Sequence, residues 1–188
     1  MALRSFCGVS ASSVFVRLER DAMTADEIKR MLGLEPHPRE GGYFMQTWKS
    51  EEQIPLAALP ARYSGVRAAG TAIYYLLEPS TFSEMHRLIS DEVFHFYLGD
   101  PVQMLQLQPD GSSRVVVLGS DLAAGMLPQL VVPKNVWQGS RLVPGGEVTL
   151  LGCTVSPGFD YADYETGKRE DLLREYPKPA ALIEALTH

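Results

Sequence analysis

The stretch HRLISDEVFHFYLGD, residues 86–100, decides how this chain is read. It holds two of the four histidines, His86 and His95, together with Glu92. With its N-terminal neighbours it reads as strand, turn, strand: FSEMHRLI and EVFHFYLG flank Ser90-Asp91, a pair of turn formers. Side chains alternate between the faces of a strand. Glu84, His86 and Leu88 are therefore expected on one face of the first strand, and Glu92, Phe94 and Phe96 on one face of the second. A hairpin through Ser90-Asp91 would bring His86 and Glu92 together across the pair. If that face lines an apolar interior, an imidazole and a carboxylate are buried there. Such groups are costly to bury alone, so a partner, a metal or a ligand is expected beside them. His95 has the opposite parity and is expected to point away, and Asp91 is expected to serve the turn.

Outward from this stretch the chain keeps the same character. TAIYYLLE is a β-rich run between Gly70 and Pro79. VQMLQLQ, the turn PDGS and RVVVLG form a hairpin signal. PQLVV, VWQGSRLV and VTLLGCTV follow, separated by Pro-Lys-Asn and PGGE turns. With YFMQTWKS this makes about nine short strands with frequent turns, the pattern of a sandwich or barrel. Helices are expected only at the periphery. MTADEIKRMLG carries a capping box, Thr24 to Glu27, and stops at Gly33. KREDLLREY and PAALIEAL are amphipathic segments near the C-terminus, broken by Pro177 and Pro179. The expected fold class is thus an all-β barrel with peripheral N- and C-terminal helices. It forms one domain over residues 24–188, after an extension over residues 1–23.

Composition bounds the function. The 188 residues are 45% hydrophobic and 21% charged, with a net charge of −6. No basic surface for nucleic acid is indicated, and no apolar run is long enough for a membrane helix. The two cysteines, Cys7 and Cys153, form no C-x-x-C pair. Cys153 sits in an apolar run and reads as a buried, inert thiol. The expected partner is a small molecule, with neither nucleic acid nor membrane. A cytoplasmic location is expected, with an organellar address through the Ser- and Arg-containing extension as the alternative.

The residues of the opening stretch resemble the first motif of the cupin superfamily. His86 matches its first His, Glu92 its Glu and Gly99 its closing Gly, while Leu88 occupies the position of a second His. PKNVWQ resembles the second motif, with Pro133 in place, Asn135 for the Gly and Gln138 for the His. PHPREGGYF, DEVFHFYLGD, VVPKNVWQGS and VSPGFDYADYETGKREDLLREYP resemble segments that mark one branch of cupins. That branch is of unknown function and is grouped with the sugar-nucleotide epimerases, the RmlC-like cupins. The resemblance spans about residues 24–178. It implies a double-stranded β-helix jelly roll, often a homodimer, with a pocket inside the barrel.

The resemblance also frames the chemistry. The leading expectation is a cupin that binds a small polar or carbohydrate-like molecule, with isomerase or epimerase activity through a His-Glu pair. His86 would remove a proton alpha to a carbonyl, Glu92 would orient or tune it, and Tyr75 would supply the acid. Gln138, Tyr43 and Phe94 are candidate substrate contacts, Tyr43 together with Phe44 closing the barrel mouth over the REGG turn. Tyr161 and Tyr164 read as cover for the barrel or for a dimer. The alternatives are a metal-dependent oxygenase and a non-catalytic binding or storage-like module. The oxygenase would have His86, Glu92 and Gln138 hold a divalent metal ion. No cofactor motif is present in the sequence.

Overall fold

The short apolar runs do become strands. The computed structural model describes residues 23–188, so the expectation for an extension over residues 1–23 lies outside the described residues except for Met23. The strands are β1 (Glu35–Pro36), β2 (Tyr43–Lys49), β3 (Gln53–Ile54), β4 (Arg67–Ala68), β5 (Thr71–Leu77), β6 (Ser83–Leu88), β7 (Glu92–Gly99), β8 (Val102–Leu107), β9 (Ser113–Leu118), β10 (Gln129–Val132), β11 (Trp137–Leu142), β12 (Thr149–Val155) and β13 (Tyr164–Thr166). Nine of these have four or more residues, as the pattern predicts. The others span two or three residues, too few to carry a period.

Two antiparallel sheets face each other, with strand orders β1-β2-β5-β12-β7-β10 and β13-β6-β11-β8-β9. Strands far apart in sequence are neighbours in both, which is the crossover pattern of a jelly roll. β3 and β4 pair as a separate ribbon. The main core lies between the sheets and includes Tyr75, Leu77, Phe94, Met104, Leu151 and Cys153. Alternation explains it: on β5, Tyr75 and Leu77 join this core, while Leu76 joins a cluster with Ile28, Leu34 and Leu150. Ile28 belongs to α1 (Ala25–Leu32), whose capping box and left-handed Gly33 are both formed. The C-terminal helices α2 (Arg169–Glu175) and α3 (Ala180–Ala185) cover the outside of the second sheet. There Leu172, Ile183 and Leu186 meet Met85, Leu105 and Trp137. Among the described residues no helix is long and apolar enough to cross a membrane.

The opening stretch is not a hairpin. β6 and β7 belong to different sheets, so Ser90-Asp91 turns a corner between layers. Asp91 Oδ1 accepts from the Lys134 backbone N–H at 2.7 Å, and Ser90 Oγ is 2.9 Å from the Tyr63 hydroxyl. These bonds tie the corner to neighbouring loops. His86 and Glu92 still approach each other, but across the barrel rather than along a ladder.

Candidate active site

A bulge aims the histidine inward. On β6, Ser83 pairs with Ser140 and His86 with Gln138, so Glu84 and Met85 together oppose Gly139 alone. The extra residue puts Ser83 and His86 on the same side, where strict alternation would separate them. Gly139 permits this crowding: a Cβ there would lie 2.7 Å from Met85 Sδ and 3.1 Å from the Ser83 carbonyl. The face expected to carry Glu84, His86 and Leu88 is therefore reset at the bulge.

Gln138 is the hub of the cluster. Its Nε2 donates to Glu92 Oε2 at 2.6 Å and lies 3.3 Å from His86 Nε2. His86 Nδ1 is 2.7 Å from the Glu84 carbonyl, which can only accept, so Nδ1 carries the proton and Nε2 presents its lone pair to the amide. Glu84, whose carbonyl the bulge displaces, thus fixes the tautomer. The Tyr164 ring stacks on His86 with centroids 5.0 Å apart. Gln138 Oε1 and the Tyr164 hydroxyl are buried without a hydrogen-bond partner.

Beside this cluster lies a cavity of about 260 Å³, lined by residues that include Glu92, Cys153, His37, Glu40, Phe44 and Tyr161. A larger surface hollow of about 400 Å³, near Arg141 and Glu78, shares no lining residue with it. Burial and the nearby charge of Glu40 push the Glu92 carboxyl up to about 7, while His86 and the Gln138 hydrogen bond oppose them. Glu92 is therefore a carboxyl able to change protonation near neutral pH. His86 does not line the cavity, and its side chain is 2% exposed. Of the expected pair, Glu92 therefore reaches the cavity wall, and His86, for which proton abstraction is expected, sits behind it.

The other expected site residues separate. Tyr75 is buried, and its hydroxyl donates to the Gly41 carbonyl at 2.9 Å. It anchors the REGG turn and does not line the cavity. Tyr43 is one residue out of phase: it packs under α1 with Ile28, takes Lys29 over its ring at 4.3 Å and bonds Glu78 at 3.2 Å. Its neighbour Phe44 has the inward parity and lines the cavity. Phe94 is fully buried in the inter-sheet core, also outside the lining. His95 lies 3.2 Å from Thr154 Oγ1 and 3.2 Å from Gln129 Nε2, away from this cluster.

Two residues were not foreseen. His37 and Glu40 come from the loop between β1 and β2, where no period points to them. The loop is held down by Gly41 and Gly42, both at positive φ. A Cβ on Gly41 would lie 2.4 Å from the Phe82 carbonyl, and one on Gly42 2.7 Å from the Leu76 carbonyl. Glu40 Oε1 accepts from Ser83 Oγ at 2.6 Å, and its Oε2 is 4.0 Å from both His37 Nε2 and His86 Nε2. The signal available in sequence was the pair of glycines after a His and a Glu, a mark of close backbone approach.

The expected metal set of His86, Glu92 and Gln138 does not fit a cation in this arrangement. An amide N–H donor stands between the imidazole lone pair and the carboxylate, where an ion would need acceptors only. Leu88 contributes no donor atom, and among the described residues no group of three His, Cys, Asp or Glu side chains is placed to hold a metal ion. Protein purified without a metal-binding tag is expected to carry well below one equivalent of manganese, iron, nickel or zinc. One full equivalent, lost in His86→Ala and in Gln138→Ala, would show the opposite.

Comparison with known proteins agrees with the fold. The family described as Cupin superfamily (DUF985) matches residues 26–167. The uncharacterized protein YML079W of Saccharomyces cerevisiae is 33% identical over 155 residues, 78% of this chain and 77% of the yeast protein. A solved structure of a hypothetical protein from Leishmania major has 32% identity and a TM-score of 0.79, covering 88% of this chain and 99% of that one. Protein SO0799 from Shewanella oneidensis has 35% identity and a TM-score of 0.77, covering 89% and 99%. With its two facing sheets, its inward Glu92 and the match over residues 26–167, this chain belongs to the cupin superfamily, in the family described as DUF985.

Proposed function

We propose that the cavity binds a small polar molecule and that Glu92 moves a proton on it, in chemistry of the isomerase or epimerase type. The observation that carries this reading is a carboxyl in the cavity wall, pushed up to about 7 and held by the amide that also holds His86. A general acid–base group works best when its pKa lies near the working pH. His86, with its tautomer fixed by the Glu84 carbonyl, acts as a positioning residue: its Nε2 lone pair holds the Gln138 amide that donates to Glu92. Cys153 shares the wall, and burial pushes its thiol up, so it remains a neutral side chain.

The test has two parts. Carbon-13 NMR of the Glu92 carboxyl is expected to show a midpoint near 7, moving in His86→Ala. A panel of small carbonyl, hydroxy-acid and sugar compounds, incubated in heavy water, is expected to yield at least one that exchanges a carbon-bound proton. Glu92→Gln is expected to slow that exchange by about 10²–10⁴-fold. Undiminished exchange in Glu92→Gln, or an ordinary carboxylate midpoint, would remove Glu92 from the role.

A further inference from the structure

We propose that His37 and Glu40 form a fork for two neighbouring oxygens, and that the site takes an uncharged α-hydroxycarbonyl compound of about monosaccharide size or smaller. This rests on the acid–base reading of Glu92 and adds the substrate class and two more residues to it.

The backbone fixes the tautomer of His37. Its Nδ1 accepts N–H groups from Glu40 at 2.8 Å and from Arg39 at 3.4 Å. An acceptor nitrogen carries no proton, so in the neutral ring the proton is on Nε2. Burial lowers the His37 pKa against the opposing pull of Glu40, which favours that neutral form. His37 and His86 thus present opposite faces of the same chemistry: one Nε2–H donor, one Nε2 lone pair. The His37 Nε2 lies 4.0 Å from Glu40 Oε2, beyond hydrogen-bond range. A carbonyl oxygen can accept from His37 while an adjacent hydroxyl donates to Glu40. Two oxygens on neighbouring carbons, one acceptor and one donor, define an α-hydroxycarbonyl.

Charge and size narrow the class. Two carboxylates line the cavity, and among the described lining residues there is no lysine or arginine. Arg39 lies over the Tyr161 ring at 4.8 Å, outside the lining. A phosphate or carboxylate would meet like charge here with nothing to pair it. The volume of about 260 Å³ is below the range of drug-sized pockets. Phe44, Ile73 and Phe159 give the C–H face of such a molecule apolar cover.

The step balances without an oxidant. The Glu92 carboxylate takes the proton from the hydroxyl-bearing carbon, and the C–H pair becomes the C=C bond of an enediolate. The C=O pair moves onto the oxygen, where His37 Nε2–H stabilises the negative charge. Glu92 returns its proton to the former carbonyl carbon, and the hydroxyl proton passes to the neighbouring oxyanion. The carbonyl has then moved by one carbon.

Long-range proton–nitrogen NMR on the full chain reads the tautomer first. Protonated Nε2 and bare Nδ1 are expected for His37 at neutral pH, and the reverse would overturn the fork. Dihydroxyacetone, glyceraldehyde and dihydroxyacetone phosphate are then incubated in heavy water. Exchange next to the carbonyl is expected for the two uncharged probes, and at least tenfold less for the phosphate. His37→Phe should lower it about 10²–10³-fold, and His37→Gln, which keeps an N–H donor, should restore part. Exchange unchanged in His37→Phe, or a preference for the phosphate, overturns the inference. So does an absence of exchange and of NMR shifts with all three probes. If Glu92 still titrates near 7 in that case, the acid–base reading stands and only the substrate class falls. If Glu92 titrates as an ordinary carboxylate, the underlying reading fails instead.

Discussion

Replacing Asp163 with Ala is expected to destabilise the fold by about 3–5 kcal/mol, read from urea unfolding at neutral pH. The reason is the partner left behind. Arg67 Nε donates to Asp163 Oδ2 at 2.7 Å and Nη2 to Oδ1 at 2.5 Å. Each residue is only 5% exposed. A forked pair of this kind is satisfied while both members are present. Without the carboxylate, the guanidinium stays buried with donors to satisfy and a charge uncompensated. Removing both charges should cost much less, so Arg67→Met with Asp163→Leu is expected to recover most of the loss. The pair also bears on the cavity. Phe159 and Tyr161, which line it, lie just before Asp163 in the chain, and the Phe159 N–H is tied to Thr71 Oγ1 at 2.9 Å. Through Asp163, Arg67 therefore helps to hold the wall segment that carries Phe159 and Tyr161. A loss under about 1 kcal/mol in Asp163→Ala, the range of an exposed pair, would mean that water reaches the pair and that the segment is anchored elsewhere.

Strand existence was legible because alternation and turn residues act locally. The PDGS hairpin and the capping box of α1 depend on contacts within a few residues, and the nine longer strands show in alternation and turn residues that can be read segment by segment. Asn135, standing where the cupin motif has Gly, takes φ 64, a left-handed value that Asn tolerates better than most residues. Which sheet a strand joins was not legible. Alternation says which side chains share a face but not what lies opposite, so β6 and β7 were paired when they face each other. Parity also fails at a bulge, and the cue for it, Gly139 inside VWQGSRLV, lies on the partner strand rather than on β6. The same one-residue sensitivity separates Tyr43, outside the barrel, from Phe44, inside it. His37 and Glu40 reached the site through tertiary packing of a loop, for which the sequence offered only the two glycines that let it approach.

Glu92→Gln is expected to make the protein more stable above pH 7, by on the order of 3 kcal/mol, while removing the proposed acid–base group. The carboxyl rises from 4.5 to about 7 on folding, chiefly through burial and the charge of Glu40. At about 1.4 kcal/mol per unit, keeping it ionised in the fold carries a cost of that size. A raised carboxyl binds its proton more tightly in the folded state. Its contribution to stability is therefore fully present below about 4.5 and is lost as pH rises towards 7. Glutamine stays neutral throughout and still offers an oxygen to Gln138 Nε2, so the variant lacks this slope. Other titrating groups, His37 among them, are common to both proteins, so the difference between the two unfolding curves isolates Glu92. That difference should be small near pH 4.5, grow through pH 5 and 6, and level off above 7. Glu40→Gln supplies an independent check, because it removes the second cause of the shift and should move the midpoint of the growth towards the ordinary carboxylate range. A difference that stays flat with pH would mean that the folded site ionises Glu92 at no cost, and a carboxyl of that kind has no reason to hold a proton at neutral pH.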